Sequence, residues 1–404
     1  MRYSAGHIIA VALRALAIVL LLAAVPQVAN RHFMSANNLD AAATASAAGD
    51  LTTHPLYSTY KFEKSPNVVN IGVQPLWLPV NIIVAAMKRD AVLGREMEKI
   101  GVKLRFYDFL KGTDLNFFLQ RGDLHGGFSG DVPALTAASK MKIKIPALAQ
   151  MGFTSIVSKQ HYTINYLRGR RIGYAYGSNA HYALLNALAA EGMELKDVRL
   201  VPMEITDMQG ALAADKIDAF SAWEPVVEKT LKAQPNARAI HRSLSSGYLY
   251  FTQDFCAGHP DALRAILAAE IRAVYWLQSD GNNLLRAAGW ADDAEKSFSS
   301  GRQTPSDAGG RTPSDAGGQA PLSQKRTAAL AANDFLGMDS EPRIPMRELS
   351  EGCLIYNEFR FLKEIRMIPQ SAQWPSVRRS FDTAVMNEII ANPFKYRVSE
   401  YDYR

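Results

Sequence analysis

Residues Gly169–Leu188 read GRRIGYAYGSNAHYALLNAL, and the fold turns on this stretch. Arg171–Tyr176 has the pattern of a short strand, and Tyr176-Gly177-Ser178 reads as a tight turn. Ser178 is placed to cap a helix whose apolar face carries Leu184, Leu185 and Leu188, and Gly192 can end it. A strand, a turn and a capped helix start leave backbone N–H groups pointing at one spot, where an anionic or polar ligand can sit. The competing reading is an ordinary strand-to-helix loop with a structural cap. The stretch alone does not choose between the two.

The same strand–helix alternation runs outward in both directions. Upstream, strands are expected at Val68–Val73, Val102–Tyr107 and Leu124–Ser129. Between and after them come a helix over Pro79–Arg89, a helix capped by Thr113, and a third capped by Asp131, with Pro133 tolerated in its first turn. Downstream, strands are expected at Val198–Met203, Asp218–Ala222 and Arg238–His241, with helices at Met208–Ala214 and Pro225–Leu231. Pro260–Gln278 reads as a long amphipathic helix, with Leu263, Ile266, Leu267, Ile271, Val274 and Tyr275 at helical spacing. Further helical stretches lie near Lys325–Phe335, Met346–Lys363 and Val377–Ala391. This order argues for an α/β protein with a parallel sheet covered on its faces.

The 404 residues are 48% hydrophobic and 21% charged, an ordinary globular composition with enough chain for two domains. The formal charge is +6 without a Lys/Arg run, so nucleic acid is not expected as a partner. Residues 1–47 read as a signal peptide and leader: Arg2 and Arg14 precede the apolar run Ala15–Val25 and small residues follow. An uncleaved anchor is the alternative, although Arg14 shortens the run below spanning length. Asp40–Ser65 is expected to be a leader or a poorly ordered arm. Cys256 and Cys353 are compatible with one disulfide or with two separate thiols. RQTPSDAGG (302–310) is followed by RTPSDAGG (311–318), so 301–321 reads as a disordered surface loop.

Four stretches, one of them containing the stretch quoted first, carry a family pattern. DAVLGREMEKIGVKLRFYDF (90–109), LQRGDLHGGFSGDVPALTAA (119–138), LRGRRIGYAYGSNAHYALLNAL (167–188) and KIDAFSAWEPVVEKTL (216–231) occur in that order. Together they resemble the periplasmic substrate-binding proteins of nitrate/sulfonate/taurine-type ABC importers. The resemblance implies a type II periplasmic-binding-protein fold: two α/β lobes joined by two crossing strands, with a ligand cleft between. The crossings are expected near Thr154–Ser158 and Gly247–Phe251. Residues 66–155 and 248–404 would then form the first lobe and 156–247 the second.

In open α/β sheets ligands bind at the carboxyl ends of strands. The resemblance therefore implies a cleft lined by Gln74 and Trp77, by Ser129, Gly130 and Asp131, by Ser178, Asn179 and His181, and by Trp223 and Glu224. Ser129 and Ser178 offer hydroxyls beside helix starts, suited to an oxyanion or to capping. Trp77 and Trp223 can wall a ligand or fill a core. Asp131 and Glu224 are helix caps, or they face the cleft and select a ligand ammonium. His181 contacts ligand or only packs, and no carboxylate is placed to orient it as a catalytic base. The histidines are not at metal-ligand spacing, and neither a phosphate-binding glycine loop nor H-E-x-x-H occurs.

The function these features imply is a monomeric, exported solute-binding protein of an ABC importer. It would capture a small polar or anionic organic solute of the sulfonate, taurine or nitrate class without a cofactor. It would deliver the solute to a membrane permease with its ATPase. An enzyme of pyrimidine or small-acid metabolism on the same fold, and a sensor input module, are the alternatives.

Overall fold

The computed structural model describes residues 49–160, 162–300, 306–307, 324–335 and 342–404. The strand at Val68–Val73 (β1) forms because all six of its residues are buried, and it lies between β2 (Lys103–Asp108) and β3 (Gly126–Gly130), parallel to both. The stretch quoted first forms β5 (Arg171–Tyr174) and is flanked in parallel by β6 (Arg199–Pro202) and β7 (Ala219–Trp223). Between the two triplets run two long antiparallel strands, β4 (Ile143–Ser158) and β8 (Arg238–Thr252). At ~3.3 Å per residue, the 16 residues of β4 span roughly 50 Å, enough to serve both lobes. Gly247–Phe251 of β8 pair with β3, while Thr154–Ser158 of β4 pair with β7. With β9 (Ser306–Asp307), the nine described strands form one sheet in the order β6-β5-β7-β4-β8-β3-β1-β2-β9. The molecule is thus two α/β lobes joined by two crossing strands.

The helices after the strands fall near their expected places: α1 (Val80–Lys88), α3 (Gly112–Gln120), α4 (Asp131–Lys140), α5 (Asn179–Ala190), α6 (Met208–Ala213) and α7 (Val226–Ala233). Two more precede the carboxyl third, α2 (Ala91–Lys99) and α8 (Gln253–Gly258). In α5 the three leucines are fully buried, and Gly192 stands just beyond its end at φ 63°. The long amphipathic helix is α9 (Pro260–Ser279). A second long helix, α10 (Gly281–Ser299), follows it at once and escaped sequence reading. Its buried face is mostly alanine and glycine (Ala287, Ala288, Gly289, Ala291), so it shows no strong apolar stripe. The carboxyl end adds α11 (Gln324–Phe335), α12 (Leu354–Glu364), α13 (Trp374–Arg378) and α14 (Ala384–Ala391).

Several expectations are corrected. Arg238–His241 is not a separate strand but the start of β8. The stretch Met346–Lys363 is broken near Gly352, whose φ of 87° no helix continues. Val377–Ala391 is likewise divided between α13 and α14. Thr113 does not cap α3; Lys111 stands at the cap position and its side chain makes no capping bond, and the Thr113 hydroxyl donates instead to the Tyr176 carbonyl at 3.3 Å. The described part of the arm, residues 49–65, packs on the protein, and residues 40–48 lie outside the described residues. Tyr57 is 2% exposed and packs on Phe109 and Phe118, while Tyr60 and Phe62 pack on Tyr107. Three aromatics in a polar stretch have no period to betray them, but each gains apolar contact by folding back. Cys256 and Cys353 are free thiols. Within the repeat, Ser306–Asp307 pair with the outer edge of β2, which departs from a structureless loop; the rest of 301–321, like residues 1–48 with the expected signal peptide and leader, lies outside the described residues. No helix among the described residues is long and apolar enough to cross a membrane.

Candidate functional site

Where the carboxyl ends of β1, β3, β5 and β7 approach β4 and β8, a cleft opens, about 450 Å³ with its solvent-filled mouth included. Its aromatic and apolar wall is Trp77, Leu78, Pro133, Phe153 and Trp223, and its polar groups are Gln74, Gln150, Thr154, Ser178, Asn179, Glu224 and Ser245. Gly112 and Gly130 complete the lining. Of the residues singled out in the sequence, Gln74, Trp77, Gly130, Ser178, Asn179, Trp223 and Glu224 meet here.

The loops that carry them are tied together across the cleft. The Trp223 indole N–H donates to the Leu76 carbonyl at 2.9 Å, and the Leu78 amide donates to the Glu224 carbonyl at 3.1 Å. The Asn179 amide donates to Ser245 Oγ and to the Ser246 carbonyl, and its Oδ1 accepts from the Val132 amide at 3.3 Å. A Cβ on Gly130 would stand 2.1 Å from Asn179 Oδ1, so the bare backbone is what lets the α5 start approach the α4 start. Gly247 serves Trp77 in the same way: a Cβ there would lie 2.3 Å from the indole. At the cleft edge Lys111 reaches from one lobe to Glu204 in the other, 2.6 Å away. These bonds describe a closed cleft.

Most polar groups on the wall already have protein partners. Gln74 Nε2 donates to the Phe128 carbonyl. The Ser178 hydroxyl donates to the Ala175 carbonyl at 2.7 Å and accepts from the His181 amide at 3.2 Å. Glu224 accepts from the Glu228 amide, and burial holds its carboxyl above the ordinary range, against the pull of Arg242 and Arg326. Gln150 Oε1 and Thr154 Oγ1 are buried without a hydrogen-bond partner among the described residues. Both stand on β4, and sequence reading passed over them. They belong to a strand interior rather than a strand-end loop, where no motif marks them.

Three residues named from the sequence stand behind the wall rather than on it. Ser129 is fully buried, its hydroxyl beside Gly112 and without a well-formed hydrogen bond. Asp131 is the first residue of α4 rather than its cap; its carboxylate accepts from the Val132 amide at 2.9 Å and the Ser246 amide at 2.7 Å. It shares a buried contact with Glu358 of α12. Burial pushes Asp131 up to about 6 and Glu358 well above its ordinary value, so a single proton serves the pair. His181 faces the smaller core of the second lobe, between Tyr174 and Tyr176. Burial pushes it down to about 3, Nδ1 accepts from the Gly177 amide, and Nε2 is unpartnered. It is a neutral packing residue. Glu224 is the only ionisable side chain among the described residues that line the cleft, and no group of three His, Cys, Asp or Glu able to hold a metal occurs among the described residues.

Residues 134–281 match the model of the family described as NMT1/THI5 like. A Brucella abortus (strain 2308) protein named as a binding protein is 32% identical over 132 residues, 32% of this chain and 41% of that one. The matched stretch thus spans about two fifths of the length of that relative. The taurine-binding periplasmic protein of Escherichia coli K12 is 26% identical over 182 residues, 43% of this chain and 57% of that one. Among solved structures, the periplasmic aliphatic sulphonate binding protein SsuA of Escherichia coli superposes with a TM-score of 0.51 at 17% identity, covering 78% of this chain and 98% of that one. The desulfurization enzyme DSZB superposes equally, with a TM-score of 0.51 at 13% identity over 81% of this chain and 99% of that one. These likenesses establish the periplasmic-binding-protein fold.

Proposed function

We propose that the chain is an exported solute-binding protein of an ABC importer, holding a small polar or anionic organic solute of the sulfonate, taurine or nitrate class in the interlobe cleft. The observation that carries this reading is the closed cleft itself, walled by both lobes and holding two buried polar groups with no protein partner. Residues 66–155 with 248–404 act as one lobe and 156–247 as the other, hinged on β4 and β8. Opening breaks the bonds from Trp223 to Leu76 and from Leu78 to Glu224, and solute restores them by binding the closed form better than the open one. The closed monomer then docks on a permease served by an ATPase. The seven site residues that meet on the wall, with Gln150, Thr154 and Ser245, enclose the solute, by packing alone where their polar groups are already paired within the protein.

Support comes from the taurine- and sulphonate-binding names among the relatives, together with the fold. The fold also carries an enzyme, so fold by itself does not exclude catalysis. On the wall, Glu224 is the one ionisable group among the described residues, and one of its oxygens accepts from the Glu228 amide, so the acid–base pair that would activate a wall hydroxyl lacks its second member there. The test is a thermal-shift and calorimetric screen of the mature protein against sulfonates, nitrate, amino acids and aromatic acids, with mass analysis of its native N-terminus. Saturable one-to-one binding without turnover supports the reading. Turnover of a bound compound, or an intact Met1 in a membrane fraction, overturns the corresponding part.

A further inference from the structure

The cleft's unused polar groups are unevenly placed. Gln74 Nε2, the Ser178 proton and the Asn179 amide are committed to protein partners. Gln150 Oε1 and Thr154 Oγ1 are not, although each residue is only 2% exposed. Leaving such groups unpaired in a closed site is costly, which is the mark of a position meant for something else. Both lie on β4, on an unbroken run of the ladder in which Gln150 faces Gly247 and Thr154 faces Ser243. Four residues along a strand separate them by about 13 Å, less the reach of the glutamine side chain. Gln150 lies level with Trp77, which rests on Gly247, whereas Thr154 pairs with Trp223 next to Glu224. The Trp223 indole extends from the Thr154 end toward Leu76 and so lines the space between.

Resting on the reading of this cleft as a solute site, we propose that Gln150 and Thr154 are the groups that select the solute, and that their separation selects an elongated one. It carries a polar group at each end and an apolar stem against the tryptophan between. The end at Thr154 donates a hydrogen bond, as an amine or hydroxyl does, because both Thr154 Oγ1 and Glu224 can accept there. At the other end the unpaired Gln150 Oε1 accepts, and a half-turn of the amide presents its NH2 as a donor to a sulfonate instead. A compact oxyanion reaches one of these groups and leaves the other unpaired.

The experiment is calorimetric titration of the full chain with nitrate, methanesulfonate, taurine, homotaurine and the longer linear aminoalkanesulfonates, on wild type, Thr154→Val and Gln150→Met. Affinity is expected to rise along the series past taurine, with nitrate and methanesulfonate weakest. Each variant should bind the longer members roughly 5- to 10-fold more weakly, the loss of one buried hydrogen bond. Without solute, Thr154→Val should melt roughly 1–2 °C higher, because it removes a buried unpaired hydroxyl. A structural hydroxyl would give the opposite sign. Nitrate or methanesulfonate binding as tightly as the long members, with both variants unaffected, overturns the length selection while keeping solute capture. A lower melting temperature in ligand-free Thr154→Val overturns the role of Thr154 whatever binds. Absence of binding by every probe overturns both the selection and the solute reading beneath it.

Discussion

Ser178 is the residue whose role changes most once its neighbours are known. As a cap and as donor to Ala175 its one proton is spent, so it has none left to give a solute oxyanion, though it lines the cleft. Ser178→Ala is therefore expected to cost about 1 kcal/mol of stability, as cap losses do, and to change solute affinity by less than the tenfold expected of a direct charged contact. Denaturant melts and calorimetric titration of one preparation read both quantities. Gly247 makes the converse case, a residue with no functional group that shapes the site. Gly247→Ala drives a methyl into the Trp77 ring, so the ring must turn into the cleft or away from it. Solute affinity should fall more than stability, with a change in tryptophan emission. An unaltered emission spectrum together with unaltered affinity would show that the backbone absorbs the methyl.

At the scale of elements, the start of α4 and the flank of α12 meet in the Asp131–Glu358 carboxyl pair, against Tyr182 and Tyr248. Among the described residues, Asp131 is the charged group that acts on Glu358, and it acts with burial to raise the carboxyl. Folding lifts Glu358 above its ordinary value of 4.5, so between that value and the folded one the native protein holds a proton that the unfolded chain has released. Stability from this group is full below about 4.5 and is lost as the pH rises through the folded value. Asp131, pushed up to about 6, has the same sign from 3.8 upward. His181 has the opposite one: its folded value near 3 lies below 6.5, so its contribution is full above 6.5 and fades as the pH falls. Glu358→Gln keeps a donor toward Asp131 without an ionisable proton. Melts from pH 5 to 8 should show a flatter decline on the alkaline side than in wild type. An unchanged slope would place the titration elsewhere.

For the whole molecule, closure is held at its edge by a relay that begins in the amino-terminal arm. The Tyr57 hydroxyl donates to Asp114 at 2.7 Å, Asp114 holds Lys111 at 3.2 Å, and Lys111 reaches Glu204 of the other lobe. Burial works against the Lys111 charge, but Asp114 and Glu204 outweigh it and hold the ammonium above its ordinary range. Lys111→Met should therefore loosen closure without unfolding either lobe. The expected readouts are a larger radius of gyration by solution scattering and a several-fold weaker solute affinity, arising mostly in the off-rate. Equal scattering profiles for variant and wild type would show that the bonds at Trp223 and Leu78 suffice.

The sequence by itself determined the strand–helix order, the capped start at Ser178 and the stop at Gly192. These are decided by the period of apolar residues and by backbone chemistry within a few positions. The family resemblance of its motifs implied which strand-end loops meet, and seven of the ten residues named on that ground lie on the cleft wall. Tertiary structure alone decided which way the side chains face. His181 and Asp131 stand in the right turns but point behind the wall, because one helix turn carries both a cleft face and a core face. It alone joined Arg238–His241 to the crossing strand, and it alone folded the aromatic arm onto β2, since both depend on partners far along the chain. The unpaired groups of Gln150 and Thr154 belong to the same class. Whether a polar atom lacks a partner is a property of everything packed around it, and no local pattern of residues encodes that.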